Sequence, residues 1–273
     1  SSDWGTAEFY GRFDFESMPP EGIFRFRSVP VLAGQTASGT LAVRRQTDRV
    51  RIAGSGIRIG DTELDEFHMM LQPLAGAFRF TFDAAMPGPG ENRIVSDGSL
   101  QYDPDLLLDL NLRIADASGS SVAEILLPAD TVERIPAELL GLTVDSQIFV
   151  TTDLVDTAYL LPNFRMYQSG NPGNMLSFNA AGNQNGLEIS DISLLWNEYT
   201  MDGGLTAQIR EGNRVEADTE FSVNGIPYSL SGVLSENGQV VVSGSYGTVL
   251  TLQKAEEHYD FHLKTGSVPI PFK

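Results

Sequence analysis

With 273 residues, the chain has room for one large β domain or two ordinary ones, and 41% hydrophobic against 20% charged residues excludes wholesale disorder. A net charge of −18 repels phosphate backbones and anionic headgroups, so nucleic acid is excluded as a partner. The absence of cysteine excludes disulfides, thiolate catalysis and cysteine–zinc sites, and fits an exported bacterial protein.

Taken in chain order, period-two alternation dominates. Phe9, Gly11, Phe13 and Phe15 alternate with Tyr10, Arg12 and Asp14, and Phe24 and Phe26 with Arg25 and Arg27. Phe78, Phe80 and Phe82 alternate with Arg79 and Thr81. Leu108, Leu110, Leu112 and Ile114 alternate with Asp109, Asn111 and Arg113, and Tyr259, Phe261 and Leu263 with Asp260 and His262. Each run predicts a strand with one apolar and one wet face. Asn185-Gly186, Asn224-Gly225 and Asn237-Gly238 have the form of type I′ hairpin turns, and Asp97-Gly98 and Asp202-Gly203 are assigned the same role. The stretch from about Gly186 to Lys273 therefore reads as an antiparallel meander. Breaks are expected at Met86–Asn92, which holds a Pro-Gly-Pro-Gly run, and at Gln168–Asn174.

One interval departs from this pattern. Ser121-Val-Ala-Glu124 and Asp130-Thr-Val-Glu133 have the form of capping boxes, and Gly141 stands where a helix C′ residue belongs. Ser120–Leu140 thus predicts one or two short helices, kept short by Pro128 and Pro136. The expected organisation is a β-rich N-terminal stretch over residues 1–118, a helical interval over 119–142 and a β-meander over 143–273, in one continuous β structure. The chain opens at Ser1 without a Met and closes within the apolar Val268–Lys273, as expected of a piece of a longer polypeptide. Val50–Asp65 and Leu187–Asp202 also echo each other, either as a repeated β layer or as the chance likeness of two amphipathic hairpins.

No reaction is visible in the residues. His258 and His262 are four apart on a strand, roughly 13 Å between Cβ atoms, too far to share an ion without bending, and His68 has no partner in sequence. Asp61/Glu63/Asp65, Asp103-Pro-Asp105 and Glu256-Glu257 lack the loop grammar of calcium sites and read as solvated acidic surface. There is no nucleophile elbow and no phosphate-binding glycine loop, so no catalytic residue, metal or cofactor is expected and the chain reads as non-enzymatic. The remaining feature is the apolar stripes. Phe24, Phe26, Phe78, Phe80, Phe82, Leu108, Leu110, Leu112 and Trp196 all fall on apolar faces of predicted strands. Such faces either close against each other as a dry core or line a groove in a curled, open sheet. Two tryptophans, Trp4 and Trp196, are few for a sugar-stacking platform.

The runs Arg49–Gly60 and Leu187–Trp196, with the Val-Pro-Ile-Pro-Phe ending at Phe272, resemble the AsmA-like superfamily, and within it the TamB-type translocation and assembly proteins. The resemblance implies an all-β fold of long, mainly antiparallel amphipathic strands in a curled open sheet or β-taco with an apolar interior. It implies a periplasmic segment of a longer, inner-membrane-anchored protein that binds or conducts lipid acyl chains in support of outer-membrane biogenesis. Phospholipid or other apolar chains, and an outer-membrane barrel protein, are then the expected partners. The alternative is a structural or adhesive β-domain of a cell-surface protein with a closed, dry core. The helical interval and the Pro-Gly-Pro-Gly loop have no counterpart in the family pattern.

Overall fold

A computed structural model describes residues 5–12, 21–30, 35–87, 91–127, 129–153, 155–210, 214–235, 238–254, 259–267 and 269. Phe13, Phe15, Trp4, His258, Glu256-Glu257, Gly88–Gly90 and Asn237 lie outside the described residues. The structure is all-β as expected, with antiparallel strands making up 75% of it in open, unclosed sheet. The chain divides into two compact units, Ser1–Val155 and Asp156–Lys273, so the helical interval lies within the first of them.

The first unit contains β1 (Thr6–Arg12), β2 (Glu21–Pro30), β3 (Thr36–Gln46), β4 (Arg49–Ile59), β5 (Thr62–Leu64), β6 (Glu66–Leu74), β7 (Ala77–Ala85), β8 (Arg93–Gln101), β9 (Leu107–Ser118) and β10 (Thr143–Thr152). Each strand pairs antiparallel with its sequence neighbour, except that β4 takes both β5 and β6 along its length. Between β9 and β10 stand three short helices, α1 (Gly119–Leu126), α2 (Ala129–Val132) and α3 (Ala137–Leu140). The base of this insert is clamped by Gly119 N donating to Leu142 O at 2.7 Å. A Cβ on Gly119 would lie 3.0 Å from the carbonyl oxygens of Leu139 and Leu142, so the close approach favours glycine.

The second unit is a single meander of β11 (Thr157–Gln168), β12 (Asn171–Asn183), β13 (Gly186–Trp196), β14 (Tyr199–Arg210), β15 (Arg214–Val223), β16 (Ile226–Leu234), β17 (Gln239–Gly244), β18 (Thr248–Lys254) and β19 (Tyr259–Lys264). Its pairs are again sequential and antiparallel. Among its described residues only Asn174 and Ala180 are buried. Its apolar face is therefore a half-exposed layer rather than a packed core.

Both units bend their sheets by the same device. In β2–β3 the register jumps from Phe26↔Gly39 to Val29↔Ala37, and in β3–β4 from Thr40↔Ser55 to Ser38↔Arg58. Each jump leaves one extra residue in a left-handed conformation, Ser28 at φ 52° and Gly56 at φ 56°. β11 and β13 carry matching bulges at Asn163 (φ 57°) and Asp191 (φ 52°) on either side of β12. The middle strand serves the bulge in each case: Ser28 N donates to Ser38 Oγ at 3.0 Å, and Asn163 N to Asn179 Oδ1 at 2.8 Å. Asn179 Nδ2 also donates to Asp191 Oδ2 at 2.7 Å. β4 and β13, the strands that echo each other in sequence, are both eleven residues long. Both run into a turn that opens with a left-handed residue, Gly60 at φ 56° or Asn197 at φ 54°.

Several local expectations are corrected. Ser121 caps nothing: α1 begins at Gly119, and Glu124 instead accepts from Thr62 Oγ1, a tertiary bond replacing the local one. Gly141 ends α3 in a right-handed conformation, φ −78°, rather than a left-handed one. Asp97-Gly98 and Asp202-Gly203 lie inside β8 and β14 and make no turn. Their glycines instead admit neighbouring side chains, since a Cβ at Gly98 would sit 2.7 Å from Phe80 Cζ and one at Gly203 2.6 Å from Phe221 Cβ. Asn224-Gly225 is the two-residue type I′ loop, φ 49° and 79°, whereas the β12–β13 loop is Gln184-Asn185 with Gly186 already in the strand. The break foreseen at Gln168–Asn174 shrinks to Ser169-Gly170, because Asn171–Asn174 belong to β12.

Candidate functional site

Strand pairing gathers eight of the nine stripe residues on one face of the first unit. Three rows cross it: Phe78–Leu100–Leu108, Phe80–Gly98–Leu110 and Phe82–Ser96–Leu112. β10 extends two of them, with Val150 beside Leu110 and Ile148 beside Leu112. On the other flank β6 adds Leu71 beside Phe80 and Met69 beside Phe82. Phe24 continues the same face across β2 through Leu41, its ring 4.5 Å from that of Phe9, and Phe26 follows it on β2. Trp196 lies elsewhere, at the end of β13 in the second unit, opposite Tyr199.

None of the nine residues is buried; all are half-buried, except Phe78, which is exposed. The strands of the unit contact their ladder neighbours, and α1 packs on β5, β9 and β10. On β7 to β10 the buried residues of the face collect at the helix end. Along β7 exposure falls from 37% at Phe78 to 3% at Ala84, and β9 ends its apolar run with Ile114 at 1%. Ile94, Val144 and Leu142 are buried beside them, while Val43 and Val50 on β3 and β4 are buried farther from that end, level with Phe82 and Phe80 respectively. Ile114 was legible as a member of the β9 alternation; its burial, at the end of the strand on which α1 packs, is announced by no stripe pattern.

Two polar side chains interrupt this buried end. Ser96 Oγ and Ser146 Oγ are buried without a hydrogen-bond partner. An unsatisfied buried hydroxyl costs about 1–3 kcal/mol, so Ser96→Ala and Ser146→Ala are each expected to raise stability by about 1 kcal/mol in urea denaturation. A loss of stability in both would show that the hydroxyls are bonded in solution.

The opposite face of the same sheet is polar. A cavity of about 580 Å³ lies over it, with Arg49, Arg79, Asp97, Asp109, Asn111 and Phe149 in its lining. Asn111 Nδ2 donates to Asp97 Oδ1 at 2.9 Å, and Thr151 Oγ1 to Asp109 Oδ1 at 2.8 Å. Arg93 grips Asp83 through two bonds of 3.0 Å, and the bond from Arg49 holds the Asp48 carboxyl below the usual carboxylate range. Acids and bases alternate here, so the face presents no field of one sign. His68 and His262 are exposed, as are Asp61, Glu63, Asp65, Asp103 and Asp105. Among the described residues no three His, Cys, Asp or Glu side chains gather where they would hold a metal ion, and no helix is long and apolar enough to cross a membrane. No family model, curated protein or solved structure matches the chain.

Proposed function

We propose that the apolar face of the first unit binds lipid acyl chains, and that the protein acts by holding them rather than by catalysing a reaction. The observation that carries this reading is an apolar face with no charged residue in the three rows Phe78–Leu100–Leu108, Phe80–Gly98–Leu110 and Phe82–Ser96–Leu112, whose phenylalanines and leucines all keep part of their surface in solvent. In a sandwich the same side chains would be packed out of water. Here they remain half-buried, leaving apolar area whose removal from water contributes ~25 cal/mol per Å². A hydrocarbon suits such a surface better than an extended peptide. A sheet face offers no free backbone groups, so the peptide's own N–H and C=O groups would lie unsatisfied against it.

On this reading the chain is a periplasmic segment of a longer inner-membrane-anchored protein serving outer-membrane biogenesis, with phospholipid as its ligand and an outer-membrane barrel protein as a partner. The strand texture that resembles TamB-type proteins supports that placement. The test is mass spectrometry of lipid extracts from protein purified without detergent. Co-purifying phospholipid in stoichiometric amount is the expected result. Lipid-free protein that also takes up none from zwitterionic vesicles would return the stripes to the structural, adhesive alternative.

A further inference from the structure

We propose that the acyl-chain face of the first unit is blind at its helix end, so that it holds one end of a chain to a fixed depth instead of passing the chain along; this rests on the acyl-chain reading above. Four adjacent strands share one gradient of burial. β7 runs from exposed Phe78 through half-buried Phe80 and Phe82 to buried Ala84. β9 runs from half-buried Leu108, Leu110 and Leu112 to buried Ile114, and β8 from half-buried Leu100 to buried Ser96 and Ile94. β10 passes from half-buried Val150 and Ile148 to buried Ser146 and Val144.

The two ends are built differently. At the closed end α1 lies on β5, β9 and β10, and is tied there by Thr62 Oγ1 donating to Glu124 and by Gln35 Nε2 donating to Leu127 O at 3.1 Å. At the other end the turn and loop carry exposed Leu74, Tyr102 and Leu106, and Tyr102 N bonds Gly76 O at 2.9 Å, holding loop and turn together. Among the described residues no helix stands there. The hydroxyls of Ser96 and Ser146, buried and without partners, mark the floor: past Thr152, which stands beside Leu108 at the open end, they are the polar side-chain atoms a chain would meet on its way to Ile114. From the Phe78–Leu108 row to the Phe82–Leu112 row is four residues, roughly 13 Å along the strands, or about ten extended methylenes.

A blind trough of that depth has a chain-length cutoff, which an open conduit lacks. The full chain would be titrated calorimetrically with single-chain phosphocholines of about 6 to about 16 carbons, below their micelle-forming concentrations. Affinity should tighten about fourfold per added methylene and level off near about ten carbons. Ile114→Ala, which lowers the floor, should move the plateau to longer chains by about two carbons, and Leu112→Trp, which raises it, to shorter ones. Circular dichroism confirms that each variant is folded, and either variant alone suffices if the other is not. Affinity that keeps rising to the longest chain would mean an open-ended face and overturn the proposal. A plateau that neither folded variant moves would overturn it as well, by placing the floor elsewhere. Failure of the wild-type chain to bind any length is the distinct result that refutes the acyl-chain reading itself.

Discussion

Ile114→Arg is expected to unfold the first unit, while Leu110→Arg, four residues earlier on the same strand and face, is expected to leave it folded and abolish acyl-chain binding. Ile114 is 1% exposed beneath the helix end, with Ile94 on one side of it and Ser146 on the other. No carboxylate occupies those flanking positions, so a guanidinium there is a buried, unpaired charge costing several kcal/mol of a total stability of about 5–15 kcal/mol. Leu110 is only half-buried, between Gly98 and Val150. An arginine at that position can lay its methylenes on the face and carry its head to water. Melting curves and photocrosslinking to a diazirine-labelled phosphocholine separate the two effects. Two unfolded variants would mean that the whole stripe is core. A folded Leu110→Arg that still crosslinks would remove the middle row from the binding face.

Asn92→Ala should destabilise the first unit by about 3–5 kcal/mol, although Asn92 is a loop residue far from any motif. Its side chain is 1% exposed and makes three bonds: Nδ2 donates to Met86 O at 3.1 Å and to Pro87 O, and Oδ1 accepts from Ser118 N at 3.1 Å. It thereby joins the β7–β8 connection to the residue that precedes α1. Truncation takes this partner from the buried bond to Met86 O and from the part-buried bonds to Pro87 O and Ser118 N, at up to about 1–3 kcal/mol each where burial keeps water out. The left-handed backbone at φ 45° adds strain for alanine that asparagine tolerates. Asn92→Gly removes the strain but not the lost bonds, so it should fall between the two in urea denaturation. A loss below about 1 kcal/mol for Asn92→Ala would show that the connection is not tied down in solution.

The all-β class, the strands of β7, β9 and β19, the helical interval and the Asn224-Gly225 turn were legible because period-two alternation and a left-handed dipeptide are local signals. The candidate face was partly legible for the same reason: alternation says which side chains share a face, as with Phe78, Phe80 and Phe82. Alternation is silent on what lies over that face, so the burial of Ile114 and Ala84 at the ends of their strands was not readable. Asp97-Gly98 and Asp202-Gly203 misled because glycine serves two ends, the left-handed turn and the close passage of a neighbour such as Phe80, and a dipeptide cannot tell them apart. The bulges at Ser28, Asn163 and Asp191 escaped for a similar reason. Each depends on a cross-strand partner, Ser38 or Asn179, whose register is a tertiary fact. Ser121-Val-Ala-Glu124 had the form of a cap, yet Thr62, distant in sequence, competes for Glu124 and wins.

The central claim, an apolar face open to a chain and closed at its helix end, is tested most directly by thiol labelling, since the chain has no cysteine of its own. Leu110→Cys and Ile114→Cys would each be exposed to maleimide in the folded protein, with and without saturating decyl phosphocholine. The account predicts that Leu110→Cys labels readily and is protected by the phosphocholine, while Ile114→Cys labels only as the protein unfolds. Equal labelling at the two positions, or resistance at Leu110→Cys until unfolding, would contradict it.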